Sequence, residues 1–518
     1  MYKFSIQLVI LVFAILATSR LAGQEPNPNI VVILADDLGY GDIRPNNPES
    51  AIPTPAFDRL ANEGVNFLDA HSGSSVCTPT RYGLLCGKYC WRTRLKRGVL
   101  GGYSEPLIDK NQPTIASILK SVGYRTACIG KWHLGLGWQW KQGKPDYLQK
   151  RGFAGKANDI DYSKPVTDGP LQHGFDECFI IPASLDMSPY VYVKNENVSQ
   201  IPQREIAGSK FPVFFRKGEI STDFTHIQCL SHLKDQANAF IEKESKTDNP
   251  FFLYFPMPAP HKPVVPMDRF RGKTPMGSYG DFVAQVDWTV GEVLKTIDQC
   301  GIADETLVIV TSDNGSFMKR LTPDAKDHID DDSIQGYRGS NHQANGTLRG
   351  TKADIWEAGH RVPFLVRWPS QDRVGQNCSA TICLTDILAT VADAARISFE
   401  SKASPDSFSF LADAFQNRER NYQKRPPVIH HSSGGMFAIR DGKWKLVLGN
   451  GSGGREAPKG KPFQKPFHLS NLESDLGESI NFADQYHDVA VQMTAEFFNI
   501  SKGDHETYNT KIRPKQNQ

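Results

Sequence analysis

Ile30-Val31-Val32-Ile33-Leu34-Ala35 is an unbroken apolar run that ends on Asp36-Asp37. A run without polar alternation is what a strand buried on both faces of a sheet requires, so Asn29–Asp37 is expected to be one. The period then changes: Phe57, Leu60 and Ala61 within Thr54–Gly64 fall at helical spacing, with Gly64 as a stop. Further buried strands are expected at Arg125–Gly130, Phe251–Phe255 and Thr306–Thr311, and helices at Ile115–Val122, Asp223–Lys243, Asp281–Cys300 and Thr385–Ala395. Strands alternating with helices predict an α/β fold, a large, mostly parallel or mixed central sheet flanked by helices. After Ser398 the pattern shifts. Arg418–Pro427 reads as a polar connector, and Phe437–Leu448 as a hairpin about Asp441-Gly442. A helix near Val489–Phe498 would complete a smaller C-terminal antiparallel-sheet subdomain.

The N-terminus has a different character. Met1–Lys3 is followed by the apolar stretch Ile6–Ala17 and by small residues around Ala22-Gly23. That stretch is short for a membrane span and suits a secretory leader. We therefore expect residues 1–23 to be a signal peptide, 24–420 the catalytic domain and 421–518 the C-terminal α+β subdomain. The protein would be exported, periplasmic or secreted, with no stable membrane insertion after cleavage. Removing the leader takes away Lys3 and Arg20 and no acid, which leaves 57 residues of each sign. A neutral chain lacks the basic footprint of a nucleic-acid binder. Nine cysteines cannot all pair, so at least one thiol is free, metal-bound, catalytic or modified.

Candidate chemistry gathers at strand ends. Asp36-Asp37 closes the first strand, and Ser312-Asp313-Asn314-Gly315 closes another. Carboxyl ends of strands are where α/β sheets place ligands, and carboxylate and amide oxygens suit a hard divalent cation. Cys77-Thr78-Pro79-Thr80-Arg81 puts a thiol before a Pro suited to the first turn of a helix, where partial positive charge favours an anion. Arg81, one turn on, can point back to the same place.

Cys77-x-Pro79-x-Arg81 followed by Leu84-Leu85-x-Gly87 resembles the signature of the type I sulfatases, a family within the alkaline phosphatase superfamily. Other blocks of that family follow in order: Ala35–Gly41, Gly130-Lys131-Trp132-His133-Leu134-Gly135, Ala259-Pro260-His261, Ser312–Gly315, and Leu348–Lys352 running to Glu357-Ala358-Gly359. The resemblance spans most of residues 29–370. It implies hydrolysis of sulfate monoesters, on a sulfated small molecule or glycan. Cys77 would be oxidised to formylglycine by a sulfatase-maturating enzyme, and the hydrated aldehyde would attack sulfur. Asp36, Asp37, Asp313 and Asn314, with Cys77 as formylglycine, would hold calcium. Arg81 and Lys131 would stabilise the formylglycine oxygens, His133 would take the diol proton, and His261 and Lys352 would bind sulfate and serve the leaving oxygen. Ser184 stands where the family has a further polar contact. Lys131 and His133, two apart, would share a face of one extended segment and so reach the same anion. Rival readings are a phosphomonoester or phosphonate hydrolase of the same superfamily, and a secreted glycan-binding protein whose Cys77 stays a thiol.

This chain departs from the pattern at three places: Cys86 where Thr is common, Ala358 where a second Gly is frequent, and Leu469-Ser470-Asn471-Leu472 where Leu-Tyr-Asp-Leu is usual. Trp132, Trp138 and Trp140 could stack on a sugar or pack in the core. Arg92, Arg94, Lys96 and Arg97 could receive extra sulfates or form a solvated loop. Gly449-Asn450-Gly451-Ser452-Gly453-Gly454 matches a dinucleotide fingerprint, but Arg455–Pro462 cannot open a helix, so a flexible loop is expected. With Cys77 modified, eight cysteines remain, and their pairing cannot be deduced from spacing.

Overall fold

A computed structural model describes residues 27–143, 159–210, 213–318, 342–371, 374–398, 401–415 and 425–504. The expected leader, the acidic stretch Asp324–Ser333 and most of the connector Arg418–Pro427 lie outside the described residues.

The run at Ile30 forms the strand Asn29–Asp36, buried at every position. It lies in the middle of a ten-stranded sheet, between parallel neighbours Thr306–Ser312 and Phe251–Pro260. Arg125–Lys131 and Glu177–Ile181 continue the parallel order on one side. On the other side Phe364–Arg367 runs antiparallel between Thr306–Ser312 and Val65–His71, and Gln376–Cys383 closes the edge. The sheet is therefore mixed.

Alternate residues of the central strand feed two cores. Ile30, Val32 and Leu34 pack with Tyr82, Leu84 and Leu85 of the helix Cys77–Cys86, and with helices Ile115–Lys120 and Ile387–Ala394. Val31, Ile33 and Ala35 pack on the other face against helices Pro55–Glu63, His226–Glu244 and Gly277–Gln299. Both faces are covered, as an unbroken apolar strand demands.

Phe251–Pro260 is longer than its apolar run suggests, because Pro256, Pro258 and Pro260 interrupt the pattern without ending the strand. Its register against the central strand shifts between Leu34 and Asp36, where the prolines begin to pair.

Val428–His431, Phe437–Asp441, Trp444–Val447 and His468–Asn471 form a separate four-stranded antiparallel sheet, capped by the helix His487–Ser501. Asp441 is the last paired residue of the hairpin, so Gly442, with φ 52°, and Lys443 make the turn. No helix among the described residues is long and apolar enough to cross a membrane.

Candidate active site

The central strand and its neighbour Thr306–Ser312 are in register, with Ala35 opposite Ser312, so they deliver Asp36-Asp37 and Asp313-Asn314 to one edge of the sheet. Asp37 adopts a left-handed φ of 68°, which aims its N–H at Asp313 Oδ1, 3.2 Å away. Gly315 allows the turn that follows: a Cβ there would lie 1.7 Å from the Ala358 carbonyl oxygen.

Cys77 opens its helix at this edge and is 2% exposed. Its Sγ donates to Asp36 Oδ1 at 3.4 Å and accepts from Lys352 Nζ at 3.4 Å. Burial and the charge on Asp313 push the thiol far above its usual range, so an unmodified Cys77 is no thiolate nucleophile. Arg81, one helical turn on, donates through Nε and Nη2 to Asp313 Oδ2 at 3.1 and 2.6 Å, and through Nη1 to the Lys131 carbonyl at 3.0 Å. Lys131 ends its strand with Nζ 2.5 Å from Asp36 Oδ2 and 2.9 Å from Ser184 Oγ. Lys352 Nζ lies 2.6 Å from Asp37 Oδ1. Ser184 Oγ is 3.3 Å from His261 Nδ1, and His261 Nε2 is 3.7 Å from Asp37 Oδ2.

Three buried carboxyl groups thus face three buried basic side chains. Burial alone would raise Asp36, yet Lys131, His261, Arg81 and Lys352 hold it well below the usual carboxylate range. Asp313 goes the other way, pushed up to about 7 by burial and by the charge of Asp36. Burial and Lys352 bring His261 down to about 4, so its ring is neutral at neutral pH.

His133 departs from the expected geometry. The strand stops at Lys131, and His133 has φ 56°, so the two side chains do not share one extended face. Its Nε2 meets the Leu100 carbonyl at 2.7 Å, while its Nδ1 is buried without a hydrogen-bond partner. Burial and the charges of Lys131 and Arg81 keep the ring neutral.

The tryptophans are packing residues. Trp132 and Trp138 are buried, with indole N–H groups on the Gly135 and Gly102 carbonyls, and Trp140 packs against the same core. Two residues of the basic run are structural: Arg92 grips Asp406 and the Ile500 carbonyl, and Lys96 donates to the Trp91 and Asp504 carbonyls. Among the described residues no disulfide forms between cysteines.

A calcium ion fits the donor set on chemical grounds. Asp36, Asp37 and Asp313 offer hard oxygens, and Asn314 donates through Nδ2 to Asp37 Oδ1 at 2.7 Å, which leaves its buried Oδ1 without a partner. Donor atoms of Asp36, Asp37, Cys77 and His261 lie within 4.8 Å of one another.

Sequence reasoning missed a second buried cluster. Lys445, wholly buried in the C-terminal sheet, lies 3.2 Å from Glu357 Oε1 and 2.9 Å from Glu478 Oε1. Beside it the rings of His360 and His430 stack 3.7 Å apart and that of His71 packs tilted against them, joining the central sheet to the C-terminal one. Glu357 lay in a recognised block, but the hairpin pattern carries no sign that Lys445 turns inward.

Carboxylates, an amide, a buried cysteine at a helix start and three basic side chains on one sheet edge suit a hydrolase of a tetrahedral, anionic ester. The chain belongs to the sulfatase family, whose model matches residues 28–397, and it is a sulfuric ester hydrolase. It is 32% identical over 501 residues to the N-acetylgalactosamine-6-O-sulfatase of Bacteroides thetaiotaomicron, covering 90% of this chain and 92% of that one. It is also 32% identical over 405 residues to the steryl-sulfatase of Rattus norvegicus, covering 71% and 67%. A solved structure from work on the metabolism of multiple glycosaminoglycans by Bacteroides thetaiotaomicron superposes with TM-score 0.77 at 29% identity, covering 92% of this chain and all of that one.

Proposed function

We propose that this enzyme removes sulfate from a sulfated glycan, with Cys77 converted to formylglycine by a maturating enzyme as its nucleophile. The observation that carries the reading is Cys77 itself, held at a helix N-terminus between Asp36 and Lys352, both 3.4 Å away. As a thiol it is inert there. Hydrated formylglycine supplies two hydroxyls on one carbon, so one attacks sulfur and the other later expels sulfate without a second nucleophile.

The chain's own residues divide the remaining work. Arg81 and Lys131 neutralise the nucleophilic oxygens, since both already reach Asp36 beside Cys77. The neutral His133, with its free Nδ1 lone pair, takes the proton of the attacking hydroxyl. Lys352, Ser184 and His261 bind the sulfuryl oxygens, and His261 serves the departing alkoxide, a poor leaving group that needs a proton. His261 starts neutral, so the negative charge of the bound ester is what raises its proton affinity.

Asp36, Asp37, Asp313, Asn314 and the modified Cys77 would hold calcium, which when bound supplies positive charge to a sulfate oxygen and acidifies the diol. Without the ion, three carboxylates balance Arg81, Lys131 and Lys352; with it, the site carries an excess positive charge that suits an anionic ester. The relatives act on N-acetylgalactosamine 6-sulfate and steryl sulfate by name, and the glycan-acting relative covers more of the chain. Residues 1–23 would export the protein to the periplasm or beyond the cell, 24–420 carry the catalysis and 421–518 complete the fold.

Mass spectrometry of the Cys77 peptide from the native host, with sulfate release from a panel of sulfated sugars, tests the reading. An aldehyde at Cys77 and turnover of a sulfated sugar are expected. A plain thiol in protein that still releases sulfate would overturn the nucleophile, and release of phosphate but not sulfate would overturn the substrate.

A further inference from the structure

Thr78 stands between Cys77 and Pro79 as the second residue of the helix Cys77–Cys86, wholly buried. Its hydroxyl donates to the His133 carbonyl at 3.0 Å and accepts the Leu100 N–H at 3.1 Å. The Leu100 carbonyl in turn receives His133 Nε2 at 2.7 Å. These bonds close a ring through three segments distant in sequence: the start of the nucleophile's helix, the loop at Leu100 and the turn at His133. Thr78, Leu100 and His133 are each at most 3% exposed, so a group that loses its partner here has no solvent to replace it.

The ring of bonds settles which nitrogen of His133 is free. A carbonyl oxygen only accepts, so the nitrogen that faces Leu100 carries the proton. The backbone N–H of His133 is taken by the Pro182 carbonyl at 3.1 Å, and its own carbonyl by Thr78. Every polar group of the residue but one is occupied. The exception is Nδ1, buried without a partner, which in the neutral ring presents a lone pair. Neither that exposed lone pair nor the backbone is at ease: the φ of 56° is one a side chain with a Cβ keeps only where its neighbours hold it. The hydrogen bonds from Thr78 and to Leu100 and Pro182 are what hold it.

We propose that Thr78 is a positioning residue for the base: its hydroxyl ties the His133 backbone to the Leu100 loop, and so keeps the imidazole in the Nε2–H tautomer with Nδ1 free to take the nucleophile's proton. The hydroxyl touches no reacting atom, and its effect passes through Leu100 and His133. When Nδ1 takes the proton the ring becomes an imidazolium whose Nε2–H is still received by Leu100, so the ring of bonds survives the step. Because Thr78 adjoins Cys77, one turn of helix carries the nucleophile and sets the base. The inference rests on the role of His133 in the proposed reaction, and one arm of its test needs no turnover.

Thr78→Val keeps the branched shape and loses the hydroxyl, whereas Thr78→Ser keeps the hydroxyl. Turnover of a sulfated sugar is measured on matured protein, with rates divided by the fraction of chains that carry formylglycine, read from the mass of the Cys77 peptide. In Thr78→Val, kcat is expected to fall about 10- to 100-fold, part of what a well-placed base contributes. KM should change less than about threefold, since sulfate binding is left in place, and Thr78→Ser should stay within about threefold of the parent. The tautomer is read separately by NMR of protein with isotope-labelled histidine, the His133 signals being assigned by their loss in His133→Gln. The parent is expected to show a proton on Nε2 and none on Nδ1, and Thr78→Val a mixture of both tautomers. Thr78→Ala takes the place of the valine variant in both arms if that variant does not fold. The inference is overturned by a neutral parent ring protonated on Nδ1, by an unchanged tautomer in Thr78→Val, by an unchanged kcat, or by a loss that Thr78→Ser shares. If the tautomer shifts as expected but the parent releases no sulfate, the positioning holds and the proposed reaction falls.

Discussion

Replacing Cys77 separates chemistry from folding more cleanly than any other change at the site. The Sγ makes two long contacts, each 3.4 Å, and it is one small atom in a helix buried at every position. Relative to the unmodified, calcium-free chain, Cys77→Ala therefore removes two weak hydrogen bonds and opens a space smaller than a methylene pair, a loss of about 1 kcal/mol in stability. Turnover should fall by at least about 10,000-fold, equivalent to roughly 5 kcal/mol of transition-state stabilisation, since no neighbouring group replaces the nucleophile. Cys77→Ser is more informative. A serine hydroxyl can attack sulfur once, but it has no second hydroxyl to expel sulfate, so the protein should become trapped as its own sulfate ester. Urea unfolding, sulfate release over hours, and intact mass before and after incubation with substrate make the assay. The reasoning fails if Cys77→Ala keeps more than about 1% of activity, because a difference of two powers of ten is below what loss of a covalent nucleophile produces. It also fails if Cys77→Ser turns over repeatedly.

Three further outcomes follow from the geometry. Chelation should lower the melting temperature, with calcium at 100 times its dissociation constant restoring about 2.7 kcal/mol, and Asn314→Leu should need about tenfold more calcium for the same recovery; a melting curve indifferent to both would show that these oxygens hold no cation. Lys445→Met strands Glu357 and Glu478 in the interior and should cost about 3–5 kcal/mol in urea unfolding, a penalty reduced when Glu357→Gln is added; a loss under about 1 kcal/mol would contradict the burial argument. His431 is brought down to about 4 by burial. The unfolded chain then takes up a proton near pH 6.5 that the folded chain refuses until about 4. The resulting stability, about 3 kcal/mol, is complete above pH 6.5 and lost as pH falls towards 4. Urea midpoints at pH 7 and 4.5 should therefore differ less in His431→Leu than in the parent, and equal differences would refute the assignment.

The parts of the fold that were legible are those with local causes. An apolar run without alternation marked Asn29–Asp36, and thiol, proline and arginine spacing marked the helix at Cys77, because each depends on a few consecutive residues. Phe364–Arg367 was not expected as a strand, since its four residues gain meaning only by slotting antiparallel between two strands distant in sequence. His133 was expected to lie in an extended segment with Lys131, and a positive φ set by its surroundings removed it. Lys445 alternates with apolar residues as an outward-facing lysine would, yet it answers acids from two other segments. The glycine run at 449–454 was expected to be a flexible loop, and it is instead packed against Ala353 and Asp354. Its use as a tight clamp on Asp354 depends on contacts about a hundred residues away, which no local pattern carries.

The buried joint between Glu357, Lys445 and Glu478 also has a consequence in time. A ribosome delivers Cys77, its helix and Glu357 well before it delivers Lys445, Ser452 and Glu478. Until then Glu357 has no lysine to neutralise it, and the loop bearing Lys352 lacks its clasp from Ser452. In the finished fold Cys77 is 2% exposed. An enzyme that has to reach that thiol would therefore meet it more readily in a chain whose fold is still incomplete than in the finished one.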